Sequence, residues 1–152
     1  MSAEADLKAI QVRWVLGLVS GKDLPSIATT LLTQGIESKS LVELAGLSRT
    51  EAGAPDLFEQ ALHELGCIVM EPTEALKHYA KTVSASILAR ETSPLDGARR
   101  IWRATLYVGA HGFHDLDPFV YAASEAESRP QDRELFERAI IDEARRWRGA
   151  EL

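Results

Sequence analysis

Hydrophobic residues recur along this chain at intervals of three and four, and sustained alternation of apolar and polar residues is missing. That spacing places apolar side chains on one face of an α-helix, whereas a half-buried strand would alternate them. The stripe of the first segment consists of Leu7, Ile10, Trp14 and Leu18. We expect this helix to end at Ser20–Gly21, because serine and glycine favour helix ends and turns.

Two shorter helices are predicted next. Pro25 suits the first turn of a helix, where its missing N–H is no loss, and Gly35 should end that helix. Either Ser38 or Ser40 can then cap a short helix that extends through Ala45. A serine hydroxyl has this role because it accepts hydrogen bonds from the first unpaired amides of a helix.

A fourth helix and an apolar connector complete the first half of the chain. Residues 53–55 (Gly-Ala-Pro) predict a loop, Asp56 opens the helix and Gly66 closes it. Residues 67–70 (Cys-Ile-Val-Met) have the composition of a strand, but the run is short, isolated and stopped by Pro72. Because an unpaired strand would leave its backbone groups unsatisfied, we expect an apolar connector tucked against the core.

The second half contains clearer helical signals. Its predicted helix starts are marked by N-capping residues and prolines: Thr73, Ser93–Pro94, Pro118 and Pro130. The first of these helices should extend to about Arg90, and a glycine-containing loop at 109–117 should precede the third. The apolar side of the last helix consists of Leu135, Phe136, Ala139, Ile140, Ala144 and Trp147.

Together these signals predict an all-α fold, a single compact domain (1–152) of about seven helices joined by short turns. Two helical layers, with a subdivision near 71–72, are an alternative arrangement within that class. A helix with one apolar face must bury that face against another element. We therefore expect Trp14, Trp102 and Trp147 to pack in the core.

Charge is distributed unevenly between the two halves. The net charge is −6, and residues 1–76 carry 5 basic and 11 acidic side chains against 12 of each in residues 77–152. Nucleic acids and anionic membranes are bound through lysine and arginine, so an acidic half argues against both classes of partner. An acidic surface suits a basic partner, and it also keeps a protein soluble.

The cysteine content and the N-terminal sequence favour the cytoplasm of a bacterium. Cys67 is the only cysteine, so an internal disulfide cannot form. Residues 2–6 are acidic and lack the apolar core of a signal peptide, and no apolar run approaches the roughly 20 residues of a membrane span. Abundant alanine and arginine, together with the absence of asparagine, are typical of GC-rich bacterial coding.

Residues 41–50 (Leu-Val-Glu-Leu-Ala-Gly-Leu-Ser-Arg-Thr) resemble the start of a helix-turn-helix DNA-binding motif. In that motif Gly46 would permit the tight turn and residues 48–50 would begin the recognition helix. Residues 53–55 would break such a helix after about one turn. Residues 36–66 also carry 2 basic and 6 acidic side chains, which phosphates would repel. A DNA-binding regulator is one alternative function, although we expect no nucleic-acid partner.

Two histidine-containing segments are candidates for metal or acid–base chemistry. Residues 63–67 (His-Glu-Leu-Gly-Cys) resemble the metalloprotease H-E-x-x-H motif, but Gly66 should end the helix before the second ligand. The other segment combines imidazoles and carboxylates that could bind a divalent metal ion or transfer protons: His111, His114, Asp115 and Asp117. Asp115 or Asp117 would serve equally well as the cap of the next helix. A metal-dependent or small-molecule binder or enzyme is therefore the second alternative, while we predict no cofactor and no bound metal.

Two segments resemble small helical proteins of unassigned function from GC-rich bacteria. They are residues 40–46 (Ser-Leu-Val-Glu-Leu-Ala-Gly) and residues 97–102 (Gly-Ala-Arg-Arg-Ile-Trp). The resemblance implies an all-α fold, and it implies no activity, partner or catalytic residue.

The pattern as a whole favours a non-enzymatic helical interaction protein over a catalyst. The acidic first half would dock a basic macromolecule, which we expect to be a protein, because complementary charge steers association. An immunity-type protein that covers the basic cleft of a nuclease toxin is one concrete form. The candidate partner-binding residues are Glu37, Glu43, Glu51, Asp56, Glu59 and Glu64. The pattern gives no indication of the oligomeric state.

Overall fold

The computed structural model describes residues 2–49, 52–109 and 111–152, and within these residues the chain forms eight α-helices and no β-strand. The all-α prediction is therefore confirmed, with one helix more than the seven or so expected. The chain divides into two compact units, which we call unit 1 (Met1–Met70) and unit 2 (Glu71–Leu152). None of the described helices is long and apolar enough to cross a bilayer. The expectation of one domain stays a prediction.

Unit 1 contains four α-helices whose starts follow the capping residues of the sequence. Their bounds are α1 (Ala3–Val15), α2 (Leu24–Thr33), α3 (Lys39–Ala45) and α4 (Ala54–Glu64), and a 3₁₀ turn (Gly21–Asp23) precedes α2. Ser2 caps α1 and Ser38 caps α3, where the Ser38 hydroxyl accepts the amide of Leu41 at 3.0 Å. Pro25 lies in the first turn of α2, as predicted.

The first helix ends earlier than predicted. Gly17 adopts a left-handed conformation (φ 71°), and the amide of Leu18 donates to the carbonyl of Arg13 at 2.8 Å, which closes the helix end. The last helical residue is therefore Val15, and Leu18, which we expected on the apolar stripe, is exposed.

The core of unit 1 lies where α2, α3 and α4 pack together. Its buried residues are Val19, Leu24, Ala28, Leu31, Leu41, Leu44, Ala54, Phe58 and Ala61. Trp14 of α1 packs edge-on against Phe58, with ring centroids 5.4 Å apart. Because Trp14 is only partly buried, one side of it contacts the core while the rest stays accessible.

The start of α4 differs from the prediction, because Ala54 and Pro55 belong to its first turn rather than to a loop. Gly53 is the N-cap and has a left-handed conformation (φ 97°) that glycine adopts without strain. Pro55 is tolerated in the first turn because no helical partner exists there for an amide. The helix therefore begins two residues before Asp56.

Unit 2 contains the other four α-helices. Their bounds are α5 (Pro72–Leu88), α6 (Pro94–Val108), α7 (Asp117–Ser128) and α8 (Arg133–Arg148), with a 3₁₀ turn at Pro130–Asp132. Ser93 caps α6, accepting the amide of Asp96 at 3.2 Å, as the Ser-Pro pair predicts. The core of unit 2 contains side chains from all four helices, among them Leu76, Val83, Ile101, Phe119 and Ile140.

Both ends of α5 depart from the prediction. Glu71, rather than Thr73, is the N-cap, because Pro72 occupies the first helical position. At the other end the helix stops at Leu88 instead of continuing to about Arg90. The reason is that Arg90 takes a left-handed conformation (φ 61°), which cannot continue a right-handed helix.

The apolar stripe of α8 is narrower than predicted. Its buried members are Phe136, Ile140, Ala144 and Trp147. Leu135 and Ala139 are exposed, because each lies one residue before a buried position and a helix turns by about 100° per residue. Of the three tryptophans expected in the core, Trp147 is buried, whereas Trp14 and Trp102 are partly exposed.

α5 and α6 approach each other closely at Gly97. A Cβ atom placed on this buried glycine would lie 2.6 Å from Cδ1 and 2.7 Å from Cγ1 of Ile87, and 3.2 Å from Cγ1 of Val83. Glycine therefore permits a helix contact that any larger residue would obstruct, although glycine is a poor helix former.

Candidate functional site

Five of the six carboxylates predicted to bind a partner lie within the described residues, and all five residues are exposed. They are Glu37 before α3, Glu43 on α3, and Asp56, Glu59 and Glu64 on α4. Asp56 and Glu59 are three positions apart, so their side chains are neighbours on one face of α4. The sixth, Glu51, lies outside the described residues.

Glu64 is engaged within unit 1, because its carboxylate caps the start of α3. One oxygen accepts the backbone amide of Ser40 at 2.9 Å, and the other accepts the Ser40 hydroxyl at 2.6 Å. Since Ser40 is buried, these bonds satisfy two polar groups that water does not reach, and they join the end of α4 to the start of α3. The hydrogen bonds from the hydroxyl and the amide lower the pKa of Glu64, because they stabilise its charged form.

This capping bond predicts a pH-dependent contribution of Glu64 to stability. A carboxylate whose pKa is lowered by folding stabilises the fold above its unfolded pKa, and that stabilisation is lost as the pH falls through the folded pKa. We expect Glu64→Gln to lower the melting temperature at pH 7, and the difference from wild type should shrink towards pH 3. Glu59→Gln on the same helix is the control and should leave the melting temperature close to wild type throughout. A Glu64→Gln difference that does not change with pH would contradict the assignment.

Four carboxylates remain unengaged, and we call Glu37, Glu43, Asp56 and Glu59 the free carboxylates. None of them makes an ion pair or a side-chain hydrogen bond with another described residue. Among the described residues of unit 1, the ion pair that forms is Arg49 with Asp23, whose charged atoms lie 4.0 Å apart on well-exposed side chains. Such a pair contributes little. No side chain among the described residues of unit 1 therefore pairs with the free carboxylates.

In unit 2, arginines bind several of the carboxylates. Arg146 donates to both carboxylate oxygens of Glu143, at 2.7 and 2.8 Å. Arg129 donates to Asp132 at 2.9 Å and lies 3.5 Å from Glu125. Pairs of this kind, between residues three or four positions apart, neutralise the charge of the carboxylate locally. Several acidic side chains of unit 2 are thus held by its own arginines, whereas Glu91, Glu134 and Glu151 have no such partner among the described residues.

A groove of about 520 Å³ opens between α1 and α4, and the segment that follows α4 borders it. Its lining is mainly apolar and includes Trp14, Val15, Leu62, Ile68, Val69 and Met70. Glu59 also lines the groove, so one free carboxylate lies directly beside this apolar surface. We call this feature the α1–α4 groove. Apolar walls with a few placed polar groups are the usual composition of a binding site.

The segment that borders the groove is only partly buried, contrary to the prediction of a connector tucked against the core. Met70 is buried, but Ile68 and Val69 are 87% and 84% exposed. The side-chain amide of Gln11 on α1, itself buried, donates to the carbonyl of Ile68 at 2.8 Å. The segment is therefore attached to α1 while its two largest aliphatic side chains face solvent.

The H-E-x-x-H-like segment does not place its two candidate ligands on one helix. Gly66 has a left-handed conformation (φ 74°), and α4 ends at Glu64, as expected, so Cys67 lies beyond the helix that carries His63. Burial raises the pKa of the Cys67 thiol, which disfavours the thiolate that a metal ion requires. Among residues 2–49, 52–109 and 111–152, no group of three His, Cys, Asp or Glu side chains could hold a metal ion.

In the loop at 111–117, the candidate residues His114 and Asp117 lie close together, whereas Asp115 lies beside a different residue. Nδ1 of His114 lies 3.0 Å from Oδ2 of Asp117, within hydrogen-bond distance. Asp115 instead lies 3.8 Å from Nζ of Lys77. His111 is exposed. Neither aspartate caps α7 through its side chain, because the N-cap is Leu116.

The segment that resembles a helix-turn-helix motif does not continue as a second helix at the predicted position. α3 ends at Ala45, and Ser48 and Arg49, which would begin the recognition helix, are not helical. Thr50 lies outside the described residues, and the next helix begins at Ala54.

Sequence patterns did not indicate three features of this site. The bonds of Glu64 to Ser40 and of Gln11 to Ile68 join residues 24 and 57 positions apart, so no local spacing could reveal them. The exposure of Ile68 and Val69 opposes their apolar character, and the isolation of residues 67–70 between a glycine and a proline is the one signal that they border a surface.

The sequence and the fold match no protein-family model, no curated protein and no solved structure. The functional interpretation therefore rests on the charges, burial and contacts of the chain itself.

Proposed function

We propose that this chain is a non-enzymatic interaction protein whose unit 1 docks a basic protein through the free carboxylates. The observation that supports this proposal is their lack of partners within the described residues, set against the arginine-bound carboxylates of unit 2. Residues 1–70 carry 5 basic and 9 acidic side chains, so the field around unit 1 is negative. A field of one sign attracts a partner of the other sign and raises its association rate.

The class of partner follows from the sign and the exposure of these groups. Phosphates of a nucleic acid would meet carboxylates rather than the lysines and arginines that bind them. A lysine- or arginine-rich protein surface would instead gain charge-assisted hydrogen bonds to the free carboxylates. Because these carboxylates are exposed and are not bound to other side chains in the part of the chain that the structure describes, little internal structure would be broken on binding.

The remaining acid–base candidate supports catalysis less well. The His114 and Asp117 side chains are 77% and 61% exposed. Water at such a pair weakens the electrostatic stabilisation that catalysis requires, because effective charges need a site from which water is excluded. A binding role for unit 1 is therefore the function that the geometry favours.

The test compares proteins captured from a lysate of the source organism by three forms of the full chain. The forms are wild type, the carboxamide variant (E37Q/E43Q/D56N/E59Q) and a control variant with the same change of charge in unit 2 (E91Q/E127Q/E134Q/E151Q). We expect a lysine- or arginine-rich protein to be retained by wild type and by the control and lost from the carboxamide variant. Its purified complex should weaken steeply as salt rises, because exposed charges are screened.

Two results would overturn the proposal. One is a partner that binds the carboxamide variant as tightly as wild type. The other is a specific partner whose affinity does not change between low and high salt, since an attraction between exposed charges must weaken with ionic strength.

A further inference from the structure

We propose that the α1–α4 groove binds one amphipathic α-helix of a basic partner, with the apolar side of that helix on Trp14, Ile68 and Val69. A lysine or arginine beside that apolar side would pair with Glu59. This inference rests on the proposed function, and it assigns the place and the structure of the segment that unit 1 recognises.

The residues that line the groove have the spacing found on a helix-packing surface. On α1 the lining residues are Gln11, Trp14 and Val15, and on α4 they are Glu59, Leu62 and His63. Both sets have the spacing i, i+3, i+4, so each helix presents one continuous stripe to the groove. Two such stripes facing a common groove form the surface on which a third helix packs its own stripe.

The bordering segment adds apolar contacts that the fold itself does not use. Ile68 and Val69 are almost fully exposed, although each would be among the more buried residues of an ordinary protein. Gln11 binds the carbonyl of Ile68 itself, and the next residue after Val69 is the buried Met70, so the backbone of this pair is held in place. The two side chains are therefore positioned before a partner arrives, which reduces the ordering cost of binding.

Charge indicates the kind of helix that fits. Glu59 lines the groove and Asp56 is its neighbour one turn earlier on α4, and neither side chain has an ion-pair partner among the described residues. An acidic helix would be repelled there, whereas a helix with lysine or arginine beside its leucine stripe would gain both contacts.

The test uses defined peptides and the full chain, with affinity measured by isothermal titration calorimetry. The first peptide is a helix of about 15 leucine and lysine residues with leucine at i, i+3, i+4 and i+7. A second peptide has the same composition in an order that forms no stripe, and a third replaces every lysine by glutamate. We expect the first peptide to bind about tenfold or more tightly than either of the others and to gain helical circular dichroism on binding.

Substitutions in the chain test where the first peptide binds. Ile68→Ser together with Val69→Ser, and separately Glu59→Lys, should each weaken the first peptide about tenfold or more. Leu106→Ser together with Tyr107→Ser, a pair of exposed apolar residues on α6, is the matched control and should have no effect. All five altered positions are exposed, so each variant should melt close to wild type.

The outcomes separate this inference from the proposed function. If the carboxamide variant loses the leucine–lysine peptide but the Ile68/Val69 variant keeps it, the helix site is wrong and the acidic docking surface stands. Equal binding of the striped and unstriped peptides also overturns the helix site. If wild type forms dimers that the Ile68/Val69 variant lacks, the occupant is a second copy of the chain, and this too overturns it. If no basic peptide or protein binds at low salt, the proposed function fails as well.

Discussion

Replacing Gly97 by valine is expected to lower the free energy of unfolding by about 3 kcal/mol, because the new side chain must displace Ile87 and Val83 at the contact of α5 and α6. Gly97→Ala should cost about 1 kcal/mol, since about 1 kcal/mol of improved helix propensity offsets part of the overpacking. Ile87 is 4% exposed, so its side chain has little room to move aside. Urea denaturation followed by helical circular dichroism measures both values.

Making Gly97→Ala in a chain that also carries Ile87→Ala separates the effect of crowding from any other effect at Gly97. In a chain that carries Ile87→Ala, the two closest atoms are gone, and the next closest, Cγ1 of Val83, lies 3.2 Å from the new Cβ. Gly97→Ala should therefore be neutral or stabilising by up to about 1 kcal/mol in that background. If Gly97→Ala stabilises the chain when Ile87 is present, the close helix contact does not exist.

The helices were largely predictable because their ends are set by local chemistry. Ser93 beside Pro94 and Pro25 after a turn act within a few residues of the backbone groups they satisfy, so the sequence shows them directly. The errors occur where local signals compete. Thr73 is a good capping residue, but Pro72 starts the helix one residue before it.

The burial of individual residues was less predictable, because it depends on which neighbour covers a face. Leu135 and Phe136 are both apolar and adjacent, and only the packing of α8 decides that the second is buried. In the same way, Gly97 looks like an ordinary weak point of a helix until Ile87, ten residues earlier, is seen against it. Contacts between distant residues cannot be inferred from periodicity.

The candidate site was also predictable only in part, since its charge could be counted but its contacts and exposure could not. The charge imbalance that favours a basic partner is visible from counting residues, and it led to the free carboxylates. The count could not show that Glu64 is bound to Ser40. Nor could composition show that Ile68 and Val69 face solvent, because an apolar run is expected to be buried.

Phe58→Ala is expected to cost about 3–5 kcal/mol, the usual loss when a buried phenylalanine is truncated. Phe58 is 1% exposed, belongs to the core of unit 1 and supports the ring of Trp14 at 5.4 Å. A core of about 70 residues rarely supplies more than about 3–5 kcal/mol. The substitution should therefore leave unit 1 largely unfolded if that unit is stabilised by its own core alone.

Hydrogen exchange resolved along the chain measures which residues lose stability in the Phe58→Ala variant. Because Phe58 belongs to a core cluster built entirely from unit 1, we expect amide protection to fall in residues 2–49 and 52–70 and to persist in the helices of unit 2. Phe113→Ala, the same change at a half-buried position, is the control and should cost less than about 1 kcal/mol. Equal loss of protection in both units would show instead that the chain unfolds as one cooperative domain, as the sequence alone predicts. Retention of full protection in unit 1 would mean that Phe58 is not the centre of its core.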